Sequence, residues 1–393
     1  MAKIIMHIDL NAFFATAEEI RDPSLANKPL VVGGSGRRGI VSTANYAARK
    51  YGIHSAMPTY MAERLYPRLI IKSPDFAYYS KLSDEFFTIL RRFSPIQEIM
   101  SIDECFMDLT KPMKDVEDPI QYLTLIQQTI YNETKLQCSI GVGPTKFLAK
   151  MASNMKKPMG ITILRRRDLA KMLWPLPIEE MYGIGKKTAP RLQEIGVKTI
   201  GDLAKNENPA IKAVLGKYYY SLVEWANGRG SDEVIAVAAP PKSIGNSTTF
   251  LNDTNNLDEI LAMVLELTKE VSAHAKKEEQ VGLTIQIIIK NADFSTINRS
   301  ITLVEPTNEV DAIYQNAEKL FIDNYNGQFI RLVGVTLQNL TSIHQTTVQM
   351  SLFDFAAHEE ENVTRLLINE LNRKLKEPKL MRASELKKKK KEH

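Results

Sequence analysis

The sequence predicts an α+β multidomain protein, and three observations carry that expectation. Residues 1–165 alternate strand-like apolar runs with amphipathic helical segments around antiparallel hairpins. Residues 243–340 read as strand, helix, strand, strand, helix, strand, a small βαββαβ domain. Between them the texture changes: 165–229 holds short helical segments and tight glycine turns, with twelve Lys/Arg against seven Asp/Glu, so it forms a locally basic helical segment. A chain of 393 residues has room for about two to four domains.

In order, KIIMHID opens as a strand and AFFATAEEI follows as a helix. The loop GGSGRRG (33–39) lacks the GK[ST] of a P-loop and reads as a turn. A short strand, IVS, leads into TANYAARKYG, a helix with Thr43 as candidate N-cap and Gly52 at its end. Phe76, Tyr79, Leu82, Phe86, Leu90 and Phe93 recur at three- and four-residue steps, the spacing of one face of a long helix. PIQEIMSI and CFMDLT form a hairpin with Asp103 and Glu104 at its tip. A helix over 119–134, the strand LQCSIGVG and the helix PTKFLAKMASNMKK follow, the last opening with Pro144, a favoured first-turn residue. SDEVIAVAAPPK (231–242) reads as a semi-rigid linker on its Pro-Pro pair. Beyond 340 come a polar stretch, an acidic helix near 358–376 and the run KKKKK at 387–391; no internal repeat is evident.

Composition excludes several classes. With 44% hydrophobic and 25% charged residues the chain is that of a globular protein, and no apolar stretch is long enough to span a membrane. Asp9 interrupts the apolar N-terminus, which is not a signal peptide, so a cytoplasmic protein is expected. Two cysteines, Cys105 and Cys138, exclude a zinc ribbon or a disulfide framework. The net charge of +5 is matched by the terminal lysines alone, so the total says nothing about nucleic acid.

The chemistry lies in the acids. Asp9 ends one apolar strand, and Asp103 and Glu104 sit side by side within SIDECFMDLT. Carboxylates in apolar surroundings repel and resist ionisation unless cations neutralise them. An acidic hairpin turn is the plain alternative. If the three converge, an all-oxygen donor set selects a hard ion, Mg²⁺ or Mn²⁺, and two such ions roughly 3.5–4 Å apart serve phosphoryl transfer. None of the six histidines has metal-ligand spacing.

The ordered blocks HIDLNAFFA, VSTANYAARKYGIHSAMP, SIDECFMDLT, SIGVGPTKFLAKMASNMKKP and YGIGKKTAPRLQEIGVKTIGDL resemble a Y-family translesion DNA polymerase of the polymerase IV type, over roughly residues 1–340. The resemblance implies a right hand: palm 1–19 and 76–165, fingers 20–75, thumb 166–230, linker 231–242, little finger 243–341 and a tail 342–393. It implies that Asp9 and Asp103 hold two Mg²⁺ ions, with Mn²⁺ able to substitute, that Glu104 completes the site near the primer 3′-OH, and that the Leu10 carbonyl is a further ligand. Many members carry an acid where this chain has Asn11, a position not expected to bind metal.

Tyr46 and Arg49, three apart on a helix, lie on one face and suit triphosphate oxygens, unless that face is simply solvated. Lys146 opposes the helix dipole in its first turn, which makes sense if an anion docks there. The resemblance gives Tyr46, Arg49 and Lys146 the triphosphate, with Thr43 assisting. It makes Phe14 a steric gate against a ribose 2′-OH and puts Phe13 beside the nucleotide or in the core. Gly183, Gly185, Lys186 and Lys187 form a helix-hairpin-helix turn that meets DNA phosphates. QMSLF resembles a sliding-clamp peptide, with Gln349, Leu352 and Phe353 as its anchors. The expected enzyme is a monomer that extends a primer on template DNA from dNTPs without proofreading. A nucleotidyl cyclase and a catalytically dead clamp accessory are the rivals.

Overall fold

The computed structural model describes residues 3–237 and 239–345 and divides into two units, Met1–Ala239 and Pro240–His393. Along the first run β1 (Ile5–Leu10), α1 (Phe13–Arg21), β2 (Leu30–Gly33), β3 (Val41–Ala44), α2 (Tyr46–Arg49), α3 (Thr59–Leu65), β4 (Ile70–Lys72), α4 (Phe76–Arg91), β5 (Gln97–Ile99), β6 (Glu104–Asp108), α5 (Pro119–Thr134), β7 (Cys138–Gly143), α6 (Lys146–Met155) and β8 (Ile161–Ile163). Then come the short helices α7 (Leu169–Met172), α8 (Ala189–Glu194), α9 (Ile200–Lys205), α10 (Pro209–Leu215) and α11 (Tyr219–Ala226).

The central sheet has the order β5-β6-β1-β7-β8, antiparallel except for the β7–β8 pair. Strand alternation sorts its two faces. Met6, Ile8, Leu10, Cys105, Met107, Cys138, Ile140 and Val142 share a buried core with Tyr79, Leu82, Phe86 and Leu90 of α4 and Leu123, Ile126 and Ile130 of α5. The alternate residues face α6, where Ile5 and Phe106 pack with Ala149, and His7 Nδ1 lies 2.8 Å from Ser153 Oγ.

On that face β7 presents Gly141, which lets α6 lie directly on the strand. A Cβ at Gly141 would stand 2.1 Å from both Ala149 O and Ser153 N, backbone atoms that cannot swing aside. Gly141→Ala is therefore expected to lower stability by about 3 kcal/mol or more. Thermal unfolding measures it, and an unchanged midpoint would mean that α6 is free to lift from the sheet.

Several local expectations are corrected. Asn45, not Thr43, caps α2: its Oδ1 accepts from Ala48 N at 2.9 Å, while Thr43 is paired with Val32 inside the three-stranded sheet β3-β2-β4. Thr145 caps α6 through Leu148 N, so Pro144 precedes the helix rather than opening it. Phe93 falls beyond the end of α4 though it still packs on the same core, and Phe76 is 58% exposed and lies off the buried face. The stretch at 231–242 begins as a strap on the sheet: Ser231 O accepts from Lys146 N, Ile235 N donates to Glu98 Oε2, and Val234 packs on Ile5 and Phe106.

The second unit comprises β9 (Ser243–Thr254), α12 (Leu257–Lys277), β10 (Gln280–Asn291), β11 (Thr296–Thr307), α13 (Val310–Ile322) and β12 (Ile330–Ser342), with sheet order β11-β10-β12-β9, all antiparallel. Ile285, Ile287, Ile289, Val333, Val335 and Leu337 on one sheet face bury against Ile260, Val264, Leu267 and Val271 of α12 and Ile313 and Phe321 of α13.

Candidate active site

Strand pairing brings the acids together. The β1–β6 register sets Asp9 opposite Glu104, and Leu10 N donates to Asp103 O at 2.9 Å, tying the two strand ends. Asp9 and Glu104 point to the α6 face because their neighbours Ile8, Leu10 and Cys105 fill the opposite core. Two lysines meet them. Lys150 on α6 bonds Glu104 Oε2 and lies 3.7 Å from Asp9 Oδ2, and Lys157, just beyond the helix, holds Asp9 Oδ1 at 2.7 Å. Asp103 instead accepts from Ser101 Oγ.

The charges respond accordingly. Burial raises the Asp103 carboxyl above the usual range, and Asp9 and Glu104 add to the rise against the opposing Ser101 bond. His7 and Lys150 hold Glu104 down to about 2. Of the two, Lys150 supplies the direct bond: His7 Nε2 stands 3.6 Å from Glu104 Oε2 without a hydrogen-bond partner, and burial disfavours the charged imidazole.

Among the described residues no three His, Cys, Asp or Glu side chains gather into a set that could hold an ion. The donors nonetheless fit a hard cation. They are all oxygens on adjacent strand ends, two are neutralised by ammonium groups that a cation could replace, and the third is left raised.

Tyr46 and Arg49 stand on α2, with the guanidinium 4.8 Å over the phenol ring and Arg49 Nε donating to Ala44 O. The Tyr46 hydroxyl is buried without a partner; burial raises its pKa, opposed by Arg49, and the charge of Asp9 adds to the rise. Phe14 is half-buried and stacks on Tyr79 with centroids 4.6 Å apart and planes at 15°. Phe13 is 3% exposed and belongs to the core, which removes it from the nucleotide set.

Lys146 is corrected as well. Its ammonium sits 2.9 Å from both oxygens of Glu98, a closed ion pair rather than a cation awaiting phosphate. The lysines at the carboxylates are Lys150 and Lys157, which residue reading missed. Lys150 had a signal: four residues after Lys146, it lies on the same helix face one turn further along.

In the helical segment Gly183 has φ 95 and would bring a Cβ to 3.1 Å from Leu222 Cδ2, so the turn requires glycine there. Gly185 has open space around it, and its carbonyl accepts from Thr188 N and Ala189 N at the start of α8. Lys186 and Lys187 are exposed beside it, and Ile184 anchors the turn in the segment's core. Gln349, Leu352 and Phe353 lie outside the described residues, as do the acidic segment and the lysine run.

Carboxylates opposed by lysines thus stand on a sheet that leads into a helical segment with a basic glycine turn. Family models match three segments: the impB/mucB/samB family over residues 8–154, the IMS family HHH motif over 166–197 and the impB/mucB/samB family C-terminal domain over 241–352. The chain is 40% identical over 387 residues to DNA polymerase IV of Bacillus anthracis, covering 98% of this chain and 94% of that one. It is 39% identical over 376 residues to DNA polymerase IV 1 of Bacillus subtilis (strain 168), covering 95% and 91%. Its fold matches the Y-family DNA polymerase chimera Dbh-Dpo4(243-245)-Dbh with TM-score 0.77 and 28% identity, over 86% of this chain and 99% of that one. The chain belongs to the Y family of DNA polymerases and is a DNA-directed DNA polymerase with the palm, fingers, thumb and little finger of that family. The cyclase and accessory readings are not favoured.

Proposed function

We propose that this polymerase extends a primer 3′-OH on template DNA by transfer from a dNTP, using Mg²⁺ held by Asp9, Asp103, Glu104 and the Leu10 carbonyl. The observation that carries the reading is the facing pair Asp9 and Glu104, joined to Asp103 by the Leu10–Asp103 bond and countered by lysines. Two Mg²⁺ ions, or Mn²⁺ in their place, would neutralise the charge developing on the attacking and leaving oxygens.

The chain's own residues do the rest. With cations at the carboxylates, the Lys157 ammonium, now paired with Asp9, would be free to bind the triphosphate, together with Arg49 and the unpartnered Tyr46 hydroxyl. Thr43, on the strand leading into α2, lies beside them in sequence. Phe14 closes the sugar side of the pocket. Residues 1–19 and 76–165 serve as palm and 20–75 as fingers. Residues 166–230 act as the thumb, where Gly183, Gly185, Lys186 and Lys187 hold the DNA backbone without reading sequence. Residues 243–341 form the little finger, and Gln349, Leu352 and Phe353 engage a sliding clamp. Among the described residues no helix is long and apolar enough to cross a membrane; the proposed enzyme is a cytoplasmic monomer.

Primer extension on a primed template tests the reading. Extension is expected with dNTPs and Mg²⁺ and its loss with a chelator. Mg²⁺ without DNA should also raise the thermal midpoint by a few degrees, since an ion that binds only the folded carboxylates stabilises by mass action. Extension unaffected by chelation would remove the metal from the scheme.

A further inference from the structure

The loop that carries Lys157 is held by two buried amides, Asn11 and Gln127. Asn11 is 2% exposed and Gln127 is 7% exposed. Asn11 Oδ1 accepts from Met159 N at 2.8 Å, and its Nδ2 donates to Ser139 Oγ at 3.0 Å, which fixes the amide's orientation. Gln127 Nε2 donates to Met159 O at 3.0 Å and to Cys138 O at 2.9 Å. The next carbonyl, Gly160 O, accepts from Ile140 N at 2.9 Å.

Lys157 lies two residues before Met159, in a stretch with no helix or strand hydrogen bonds of its own. Met159 has φ 59, and a Cβ at Gly160 would stand 1.9 Å from Lys156 O, so the path is tightly specified. A backbone with no ladder partner must find its partners among side chains, and here both polar groups of Met159 find them. A lysine tip is otherwise free over several rotamers, so fixing its base sets how often the ammonium reaches the site.

We propose that Asn11 and Gln127 are positioning residues that aim Lys157 at the triphosphate of the incoming nucleotide, an inference that rests on the phosphate role given to Lys157 above. Neither amide touches a carboxylate of the site, and Gln127 stands on α5, across the sheet from α6. An aspartate at position 11 keeps the acceptor for Met159 N and can accept a hydrogen bond from the Ser139 hydroxyl, so Asn11→Asp should preserve the grip.

The test is steady-state single-nucleotide insertion with Lys157→Ala, Asn11→Ala, Asn11→Asp, Gln127→Leu and the double variant Asn11→Ala/Lys157→Ala. Lys157→Ala, Asn11→Ala and Gln127→Leu are each expected to raise the dNTP KM about tenfold with kcat within about threefold. Asn11→Asp should stay within about twofold of the parent, and the double variant within about twofold of Lys157→Ala alone. A purely structural role would lower kcat and the thermal midpoint without moving KM, and would overturn the proposal. Additive KM effects in the double variant would also overturn it while leaving Lys157 on the triphosphate. An unchanged KM in Lys157→Ala would instead remove the phosphate role itself. Should Asn11→Ala not fold, Gln127→Leu and its double variant with Lys157→Ala decide in the same way.

Discussion

Asp103→Asn should lower the single-turnover extension rate by about 10³-fold or more while leaving affinity for primed template within about twofold. The asymmetry follows from position: Asp103 lies at the strand end among the other acids, and the proposed DNA grip at Gly183–Lys187 lies in a different segment of the chain. The same substitution is expected to raise the thermal midpoint of the metal-free protein at neutral pH. Burial and the neighbouring charges of Asp9 and Glu104 raise the folded pKa of Asp103, so its ionised form opposes folding above that pKa. That opposition fades as pH falls through the raised value and is gone below the unfolded one. Glu104 runs the other way: held down to about 2, it contributes stability above its ordinary 4.5 that is lost as pH falls toward 2. Melting curves with and without Mg²⁺, beside an extension assay, check both halves. Extension by the variant at the parental rate would remove Asp103 from catalysis, and a lowered midpoint at neutral pH would contradict the charge argument.

Phe14→Ala should collapse discrimination against ribonucleotides by about a hundredfold or more, read as the ratio of kcat/KM for dNTP and rNTP. The ring is a firm wall because of what stands behind it. Phe14 lies flat on Tyr79, which is fully buried, and the Tyr79 hydroxyl donates to Glu18 at 2.7 Å. Arg21 grips both Glu18 oxygens at 2.7 and 2.8 Å and reaches Asp75 at 2.8 Å. A gate so backed cannot yield to a 2′-hydroxyl by tilting away. Phe13→Ala supplies the contrast: its ring is in the core, so about 3–5 kcal/mol of stability should be lost with sugar selectivity kept. Unchanged selectivity in Phe14→Ala, or loss of it in Phe13→Ala at a temperature where that variant is folded, would move the gate elsewhere.

Much of the scaffold was legible because its signals are local. The helix expected over 119–134 runs from Pro119 to Thr134, and the βαββαβ order of the second unit appears as read, since long periodic segments with clear breaks fix their own type. Short elements were less legible. Thr43 and Asn45 are both sound caps by chemistry, and the choice fell to Asn45 because β3 claims Thr43 for its pairing with Val32. Pro144 and Thr145 differ in the same way: both fit a helix start, and only the chain's path off β7 makes threonine the cap.

By itself the sequence determined the inventory: which strands carry carboxylates, which glycines permit turns, and that three acids fall in apolar strand contexts. Those properties belong to residue types and to periods of two or about four residues, which neighbours along the chain already define. Tertiary structure alone decided who meets whom. Lys146 and Lys150 share one helix face, yet the first closes on Glu98 of β5 and the second reaches Glu104 of the neighbouring β6. Lys157 meets Asp9 across 148 residues, and Asn11 meets Met159 across another 148. Contacts of that span are set by sheet register and by how closely Gly141 lets a helix approach, and no local pattern encodes either.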